Sequence, residues 1–219
     1  MLNLNSSIYA HRWNQDELAA MRKVWAVLTG DFFQKFIRQD GTVLDLGAGF
    51  CHFINEVQAK RKIAFDANPE IRKFANPEVD VVISDDLKLG MFKDGELTHV
   101  FMSNFLEHLP DSNAVVDLLS TLRRKIEPGG SVLILQPNFT YTGAAYFDFV
   151  DHRVILTDKS LIEALEVAGF SVPYCQKRFL PYTSKKSRFP KSPLLVRVYL
   201  KFPLLWHLFG QQTFVIGQT

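Results

Sequence analysis

Residues 42–53 read TVLDLGAGFCHF. Val43, Leu44 and Leu46 form a short apolar run, which predicts a buried strand. The run enters a glycine turn at Gly47-Ala48-Gly49. Glycine takes backbone angles that other residues avoid, and it lets a ligand come close to the main chain. Cys51, Phe53, Ile54 and Val57 then recur at helical spacing, which predicts that the turn opens a helix. A helix start presents unpaired N–H groups. Strand, turn and helix together therefore predict a site for a nucleotide-like ligand, with Asp45 at the strand end able to reach into the crevice.

The next segment fits the same plan. Residues 62–65, KIAF, read as a second strand ending at Asp66. An acidic residue there, roughly 20 residues past the first glycine, is where nucleotide-binding α/β folds hydrogen-bond a ribose diol. The spacing admits a dinucleotide or S-adenosylmethionine. A dinucleotide pattern wants a third glycine beside the pyrophosphate. Here Phe50, Cys51 and His52 follow Gly49, which favours a ligand without phosphates.

At 219 residues the chain is long enough for one domain with a sizeable core. Apolar residues at 47% against 22% charged place it among ordinary globular proteins. A net charge of +2 gives no whole-chain footprint for nucleic acid. Cys51 and Cys175 offer neither a disulfide framework nor metal-ligand spacing, so no metal is expected. Residues 1–10 lack the apolar segment of a secretory signal, and no uninterrupted apolar run reaches the roughly 18 residues of a membrane span. A cytoplasmic protein is expected.

Residues 7–37 read as helical, with Trp13, Leu18, Met21, Val24, Trp25 and Leu28 at three-and-four spacing and then Phe32, Phe33, Phe36 and Ile37. This predicts a cap packed on the sheet, able to act as a lid over the ligand. Asn68-Pro69-Glu70 predicts a short helix with proline at an early position. Residues 79–83 predict the third strand, ending at Ser84-Asp85-Asp86. One of these aspartates could accept from an adenine amino group; the structural alternative is a helix cap before Leu87. Residues 97–102 predict the fourth strand, with Ser103-Asn104 at its end. Asp111 or Ser112 caps a helix to about Ile126, residues 127–130 form a turn, and residues 131–136 predict the fifth strand. Strands alternating with helices predict a doubly wound, mostly parallel α/β sheet with helices on both faces. Ligands of such sheets bind outside the carboxyl ends of the strands. Asp45, Asp66, Asp85, Asn104 and Gln136 all fall there.

DLGAGF, FDANPE, SNFLEHLP and EPGGSVLIL, in this order, resemble class I S-adenosylmethionine-dependent methyltransferases of the type 11/12 kind over residues 42–170. The resemblance implies a Rossmann-like fold of seven strands in a single domain: a helical cap (1–40), the core (41–183) and a basic, apolar C-terminal segment (184–219). It implies S-adenosylmethionine as cofactor and S-adenosylhomocysteine as product. Gly47, Ala48 and Gly49 would line the methionine part, Asp66 and Ala67 would hold the ribose, Asp85 or Asp86 would contact adenine, Asn104 would sit near the methyl, and Asp45 would lie under the glycine loop. Cys51 departs from the pattern, since many members keep glycine there. The stretches from Gln136 to Phe170, with Phe179-Leu180-Pro181-Tyr182-Thr183 and Gly210-Gln211-Gln212-Thr213-Phe214, resemble bacterial members associated with surface-polysaccharide or glycolipid biosynthesis. A small-molecule or glycan-type acceptor, methylated on oxygen, is the expectation.

A hydroxyl acceptor needs its proton removed. His152 is the first candidate for the base, because imidazole suits proton transfer near neutral pH, with Asp151 or Asp148 to orient it. The structural alternative is that Asp148 and His152 pair to hold the loop. His108 is the second candidate. His11, His52, His99 and His207 read as structural or exposed. Lys185, Lys186, Arg188 and Lys191 form a basic cluster before PLLVRVYLKFPLLWHLF (193–209), where Arg197 and Lys201 share a helical face and Pro203 interrupts the run. This segment packs on the sheet, forms a homodimer surface, or lies on the inner membrane surface with its basic residues toward anionic lipid. Residues 212–216 predict a closing edge strand. A non-catalytic cofactor-binding scaffold, an RNA methyltransferase and a nicotinamide-dependent oxidoreductase are the competing readings.

Overall fold

The computed structural model describes residues 15–182 and 192–219. Trp13, His11 and the basic cluster at 185–191 lie outside the described residues. Seven strands form one sheet: β1 (Thr42–Leu46), β2 (Arg61–Asp66), β3 (Val79–Ile83), β4 (Leu97–Ser103), β5 (Ile126–Pro137), β6 (Ser171–Gln176) and β7 (Gln212–Gln218). Their order is β3-β2-β1-β4-β5-β7-β6. Every pairing from β3 to β5 is parallel, and β7 runs antiparallel to both β5 and β6. The sheet is thus mostly parallel and Rossmann-like, with an antiparallel edge.

Successive side chains of a strand point to opposite faces, and here both faces are buried. Leu44, Leu46, Ile63, Phe65, Val100, Met102 and Ile134 face one side. They pack against helices α2 (Ser112–Lys125) and α3 (Asp158–Val167) through Leu118, Leu119, Leu122, Leu161 and Leu165. Asp111 caps α2 by accepting from the Ala114 N–H at 2.9 Å. Thr157 and Ser160 cap α3 reciprocally, so each helix starts where its free N–H groups find a side-chain oxygen. Val43, Ala64, Phe101, Leu133, Leu135 and Phe214 face the other side. There they meet α1 (Gln15–Asp31), the 3-10 stretch Phe33–Phe36, and two short C-terminal helices, α4 (Pro193–Lys201) and α5 (Pro203–Phe209).

Several expectations are corrected. The chain after the glycine turn makes successive turns through residue 56, not a regular helix. Cys51 sits at φ +56, a left-handed conformation that interrupts a helical ladder. The N-terminal helix ends at Asp31 and tightens into the 3-10 stretch. No helix follows Asp85 and Asp86. Instead the Asp86 carboxylate accepts from the Lys88 N–H at 3.0 Å and closes a turn. The expected turn at residues 127–130 lies within β5, where the pairing with β4 shifts register between Leu97 and His99. Finally, β7 is not an edge. It is inserted between β5 and β6, and residues 212–217 are all buried.

An aromatic seam joins the N-terminal cap to the C-terminal strand across the sheet. Phe33 has no exposed surface. Its ring lies 5.1 Å from Phe101, 5.2 Å from Phe214 and 6.1 Å from both Trp25 and Phe179. Removing such a ring from a filled site costs about 3–5 kcal/mol. Phe33→Ala should therefore lower the unfolding free energy by about that amount in urea titrations. A loss below about 1 kcal/mol would show that the seam does not tie cap to sheet.

Candidate active site

The strand order reverses between β1 and β4, so the connections leaving their carboxyl ends run in opposite directions. A crevice opens there. Its cavity is lined on the strand side by Asp45, Gly47, Ala48, Gly49, Phe101, Ser103 and Asn104. Leu18, Met21 and Trp25 of α1 close one wall, so the cap does cover the cavity. Glu107, His108, Phe149, His152, Tyr182 and Gln212 form the far end.

The glycine turn is fixed to the end of β2. The Gly47 and Ala48 N–H groups both donate to the Phe65 carbonyl, at 2.9 and 3.1 Å. Gly47 has φ +76, and a Cβ there would stand 2.3 Å from the Phe105 ring. Glycine is required on both counts. Asp66 does not line the cavity. It stands behind the turn, accepting from Gly49 N–H at 2.9 Å and from Asn68 N–H at 2.8 Å. Asp45 is 3% exposed. Burial, then the neighbouring Asp66 charge, push its carboxyl up from 3.8 to about 8, against a hydrogen bond from the Ile54 N–H. Asn104 takes φ +50 at the end of β4, with its N–H donated to Leu135. Asn tolerates this region better than most residues.

The far end is built by one backbone contact. The Glu107 carbonyl accepts from both Arg153 N–H (2.7 Å) and Val154 N–H (3.1 Å). This lays the 149–154 loop on the 3-10 turn Leu106–His108 and brings His152 beside Glu107 and His108. Tyr146 holds the loop from below through its hydroxyl on the Val154 carbonyl. The His152 ring stacks on Phe149, with centroids 5.1 Å apart, and its Nε2 lies 3.9 Å from Glu107 Oε1. Glu107 is fully buried. Its burial raises the carboxyl pKa, opposed by the nearby His108. Asp151 pairs with His108: His108 Nδ1 donates to the Asp151 carbonyl at 3.2 Å, with the carboxylate 3.4 Å away. Asp148 is exposed.

The cavity thus unites Asp45, Gly47, Ala48, Gly49, Asn104, His108 and His152. Asp66 and Asp151 stand behind it, and Asp85 and Asp86 are exposed beyond its lining. His52 belongs to the wall instead of being merely structural. Burial and the Arg22 charge push its pKa down to about 4, so it is neutral. His99 is structural as expected, bonded to Ser131 and to the Arg38 N–H. Glu107 was not singled out in the sequence. Its signal is an acidic residue between Leu106 and Leu109, shortly after an almost wholly buried strand.

Residues 18–173 match a family model described as a methyltransferase domain. None of the curated proteins matches the chain. Among solved structures it is similar to an S-adenosylmethionine-dependent methyltransferase from Archaeoglobus fulgidus, at 24% identity and TM-score 0.68, covering 99% of this chain and all of that one. A methyltransferase of the same cofactor dependence from Mesorhizobium loti aligns at 14% identity and TM-score 0.62, over 88% of this chain and 98% of the other. A geranyl diphosphate C-methyltransferase from Streptomyces coelicolor A3(2), in complex with Mg2+, geranyl diphosphate and S-adenosyl-L-homocysteine, aligns at 12% identity and TM-score 0.62, over 93% and 82%. These likenesses show a shared fold.

The raised Asp45 pKa has a defined sign. The folded state binds this proton more tightly than the unfolded state does, so its contribution to stability is full below 3.8 and is lost as pH rises to about 8. Asp45→Asn mimics the protonated form. Thermal melts across that window should show a shallower decline in the variant than in the parent protein, and parallel declines would remove the assignment.

Proposed function

The chain belongs to this methyltransferase-domain family and is an S-adenosylmethionine-dependent methyltransferase; on that premise we propose that it methylates an oxygen of a small-molecule or glycan-type acceptor. The residues present fit the cofactor. At Gly47 no side chain could be accommodated, and among the described residues the cavity wall carries carboxylates but no lysine or arginine, which suits a ligand bearing sulfonium and ammonium charges. When bound, the cofactor supplies an activated methyl carbon that needs alignment with a nucleophile. Gly47, Ala48 and Gly49 line its methionine part. Asp66, beside Ala67, keeps a lone pair on each oxygen for the ribose hydroxyls while holding the turn. Of the two aspartates after β3, Asp85 is assigned to adenine, because the Asp86 carboxylate already closes a turn. Asn104 stands nearest the reacting end.

The observation that carries the reading is the meeting of two sets of groups in one cavity. The glycine turn and Asn104 lie at one end, and the Glu107, His108 and His152 group at the other. His152 takes the acceptor proton, and the buried Glu107 carboxylate stabilises the imidazolium that forms. Asp151 holds His108 in place. Phe149, Tyr182 and Phe101 supply apolar surface to the same cavity.

The apolar helices suggest where the acceptor is carried. Leu194, Leu195, Val198, Leu204 and Leu208 are exposed on α4 and α5. Lys201 and the basic sequence at 185–191 lie beside them in the chain. We assign this face to an anionic membrane surface holding a lipid-linked glycan, in keeping with a cytoplasmic protein of surface-polysaccharide synthesis. The chain should co-sediment with anionic vesicles in low salt, less so with neutral ones. Equal recovery from both, with a dimer in sedimentation, would give the face to a second copy.

Calorimetric titration should show S-adenosylhomocysteine binding and no response to NAD. Asp66→Ala should weaken that binding by about tenfold or more, since it removes hydrogen bonds to a charged group. His152→Ala should leave it nearly intact while lowering methyl transfer by roughly 10²–10⁴-fold. Unchanged turnover in His152→Ala would exclude it as the base. Binding without turnover on any hydroxyl acceptor would favour a non-catalytic scaffold.

A further inference from the structure

We propose that Glu107, His108 and His152 form a binding site for a divalent first-row transition-metal ion at the acceptor end of the cavity. A carboxylate oxygen of Glu107 and one ring nitrogen from each histidine lie within 4.8 Å of one another. Ligand atoms sharing one ion at about 2.0–2.2 Å each are roughly 3–4 Å apart. The 3.9 Å between His152 Nε2 and Glu107 Oε1 is too long for a hydrogen bond and fits two ligands of one ion.

A second, independent observation concerns Glu107. Its side chain is fully buried and lines the cavity. Neither carboxylate oxygen has a hydrogen-bond partner of normal geometry among the described residues, and the Gln136 amide beside it is also unsatisfied. Buried carboxylates are ordinarily paired or coordinate metals. Among the described residues the basic side chains lining this cavity are imidazoles and none is a lysine or arginine, so a fixed positive charge beside Glu107 is left to a cation from solution.

The support around the site has the form expected for a metal centre. His108 Nδ1 donates to the Asp151 carbonyl and lies close to its carboxylate. Such an outer contact fixes the ring of a metal-binding imidazole and leaves the lone pair on Nε2. His152 is held between Phe149 and Tyr146, with centroids at 5.1 and 4.9 Å. Two imidazoles and one carboxylate select zinc, manganese, iron or cobalt over magnesium or calcium, which prefer all-oxygen sets. Three protein ligands leave coordination positions open toward the cavity, as in catalytic sites.

The inference deepens the function proposed above and rests on it only for the use made of the ion. With the ion in place His152 serves as a ligand and no longer as base. An acceptor hydroxyl bound at the open position becomes more acidic. Its O–H bond breaks, the proton passes to solvent water, and the electron pair stays on the oxygen. The ion keeps its oxidation state. The sequence pattern predicts no metal, because His152 comes from a segment remote from Glu107 and His108 and the cysteines take no part.

The full chain, stripped with a chelator and dialysed, would be titrated calorimetrically with zinc chloride and with manganese chloride. Cobalt chloride would serve as an optical probe of the ligand set. One ion per chain is expected, with d–d absorption of a nitrogen–oxygen site for cobalt. Glu107→Gln, His108→Ala and His152→Ala should each weaken ion binding by roughly 10–100-fold while S-adenosylhomocysteine affinity is retained. No binding by the parent protein, or binding unaffected by all three substitutions, overturns the site. If Glu107→Gln does not fold, the two histidine variants decide on the same criterion. Ion binding without S-adenosylhomocysteine binding would sink the methyl-transfer reading and leave the ion site standing; the reverse result would do the opposite.

Discussion

The structure depends on the adjacency of β1 and β4. These parallel neighbours have connections that leave in opposite directions, so neither connection fills the space outside their carboxyl ends. The backbone of the turn after β1 cannot relax into that gap, because the Gly47 and Ala48 N–H groups are both held by Phe65. Phe101, stacked on Phe53 at 3.8 Å, forms the floor. What remains is a permanent crevice in an otherwise close-packed molecule, roofed by Trp25, Met21 and Leu18 from the cap. The aromatic seam around Phe33 fixes that roof to the sheet, so the packing of the cap and the shape of the cavity are one problem.

The electrostatics of the crevice select its occupant. Asp45 and Glu107 both line the cavity, Asp66 stands behind the turn, and among the described residues no lysine or arginine offsets them on the wall. Burial makes this costly, and the pKa values of Asp45 and Glu107 rise as a result. A pyrophosphate would meet like charge here. A sulfonium and an ammonium would relieve it. The same conclusion follows from the missing third glycine, by a different argument: that one concerns how closely helix and strand approach, and this one concerns charge.

Most of the fold was legible because its signals are local. Apolar runs ending in Asp45, Asp66 and Asn104 gave the strands, and Asp111 and Asn68 gave helix starts. The errors arose where tertiary context overrode local pattern. Cys51, Phe53, Ile54 and Val57 are all buried as their spacing requires, yet the left-handed Cys51 denies them a regular helix. Residues 212–216 look like any short strand, and nothing local says that β7 is inserted between β5 and β6. The far end of the site was half legible. Both histidines were singled out, but the contact of Asp151 with His108 joins residues 43 apart in the chain, which no local pattern reveals.

Glu107 shows why the rest was hidden. Its carbonyl accepts the two N–H groups that dock the 149–154 loop, while its side chain stands in the cavity beside the histidine which that docking delivers. One residue therefore performs a backbone task that any amino acid could perform and a side-chain task that needs a carboxylate. A change at this position that keeps the main chain in place leaves the loop docked and removes only the buried charge. Chemistry and fold can thus be separated at Glu107, which is not true of Gly47, where the absence of a side chain serves both the turn and the cavity at once.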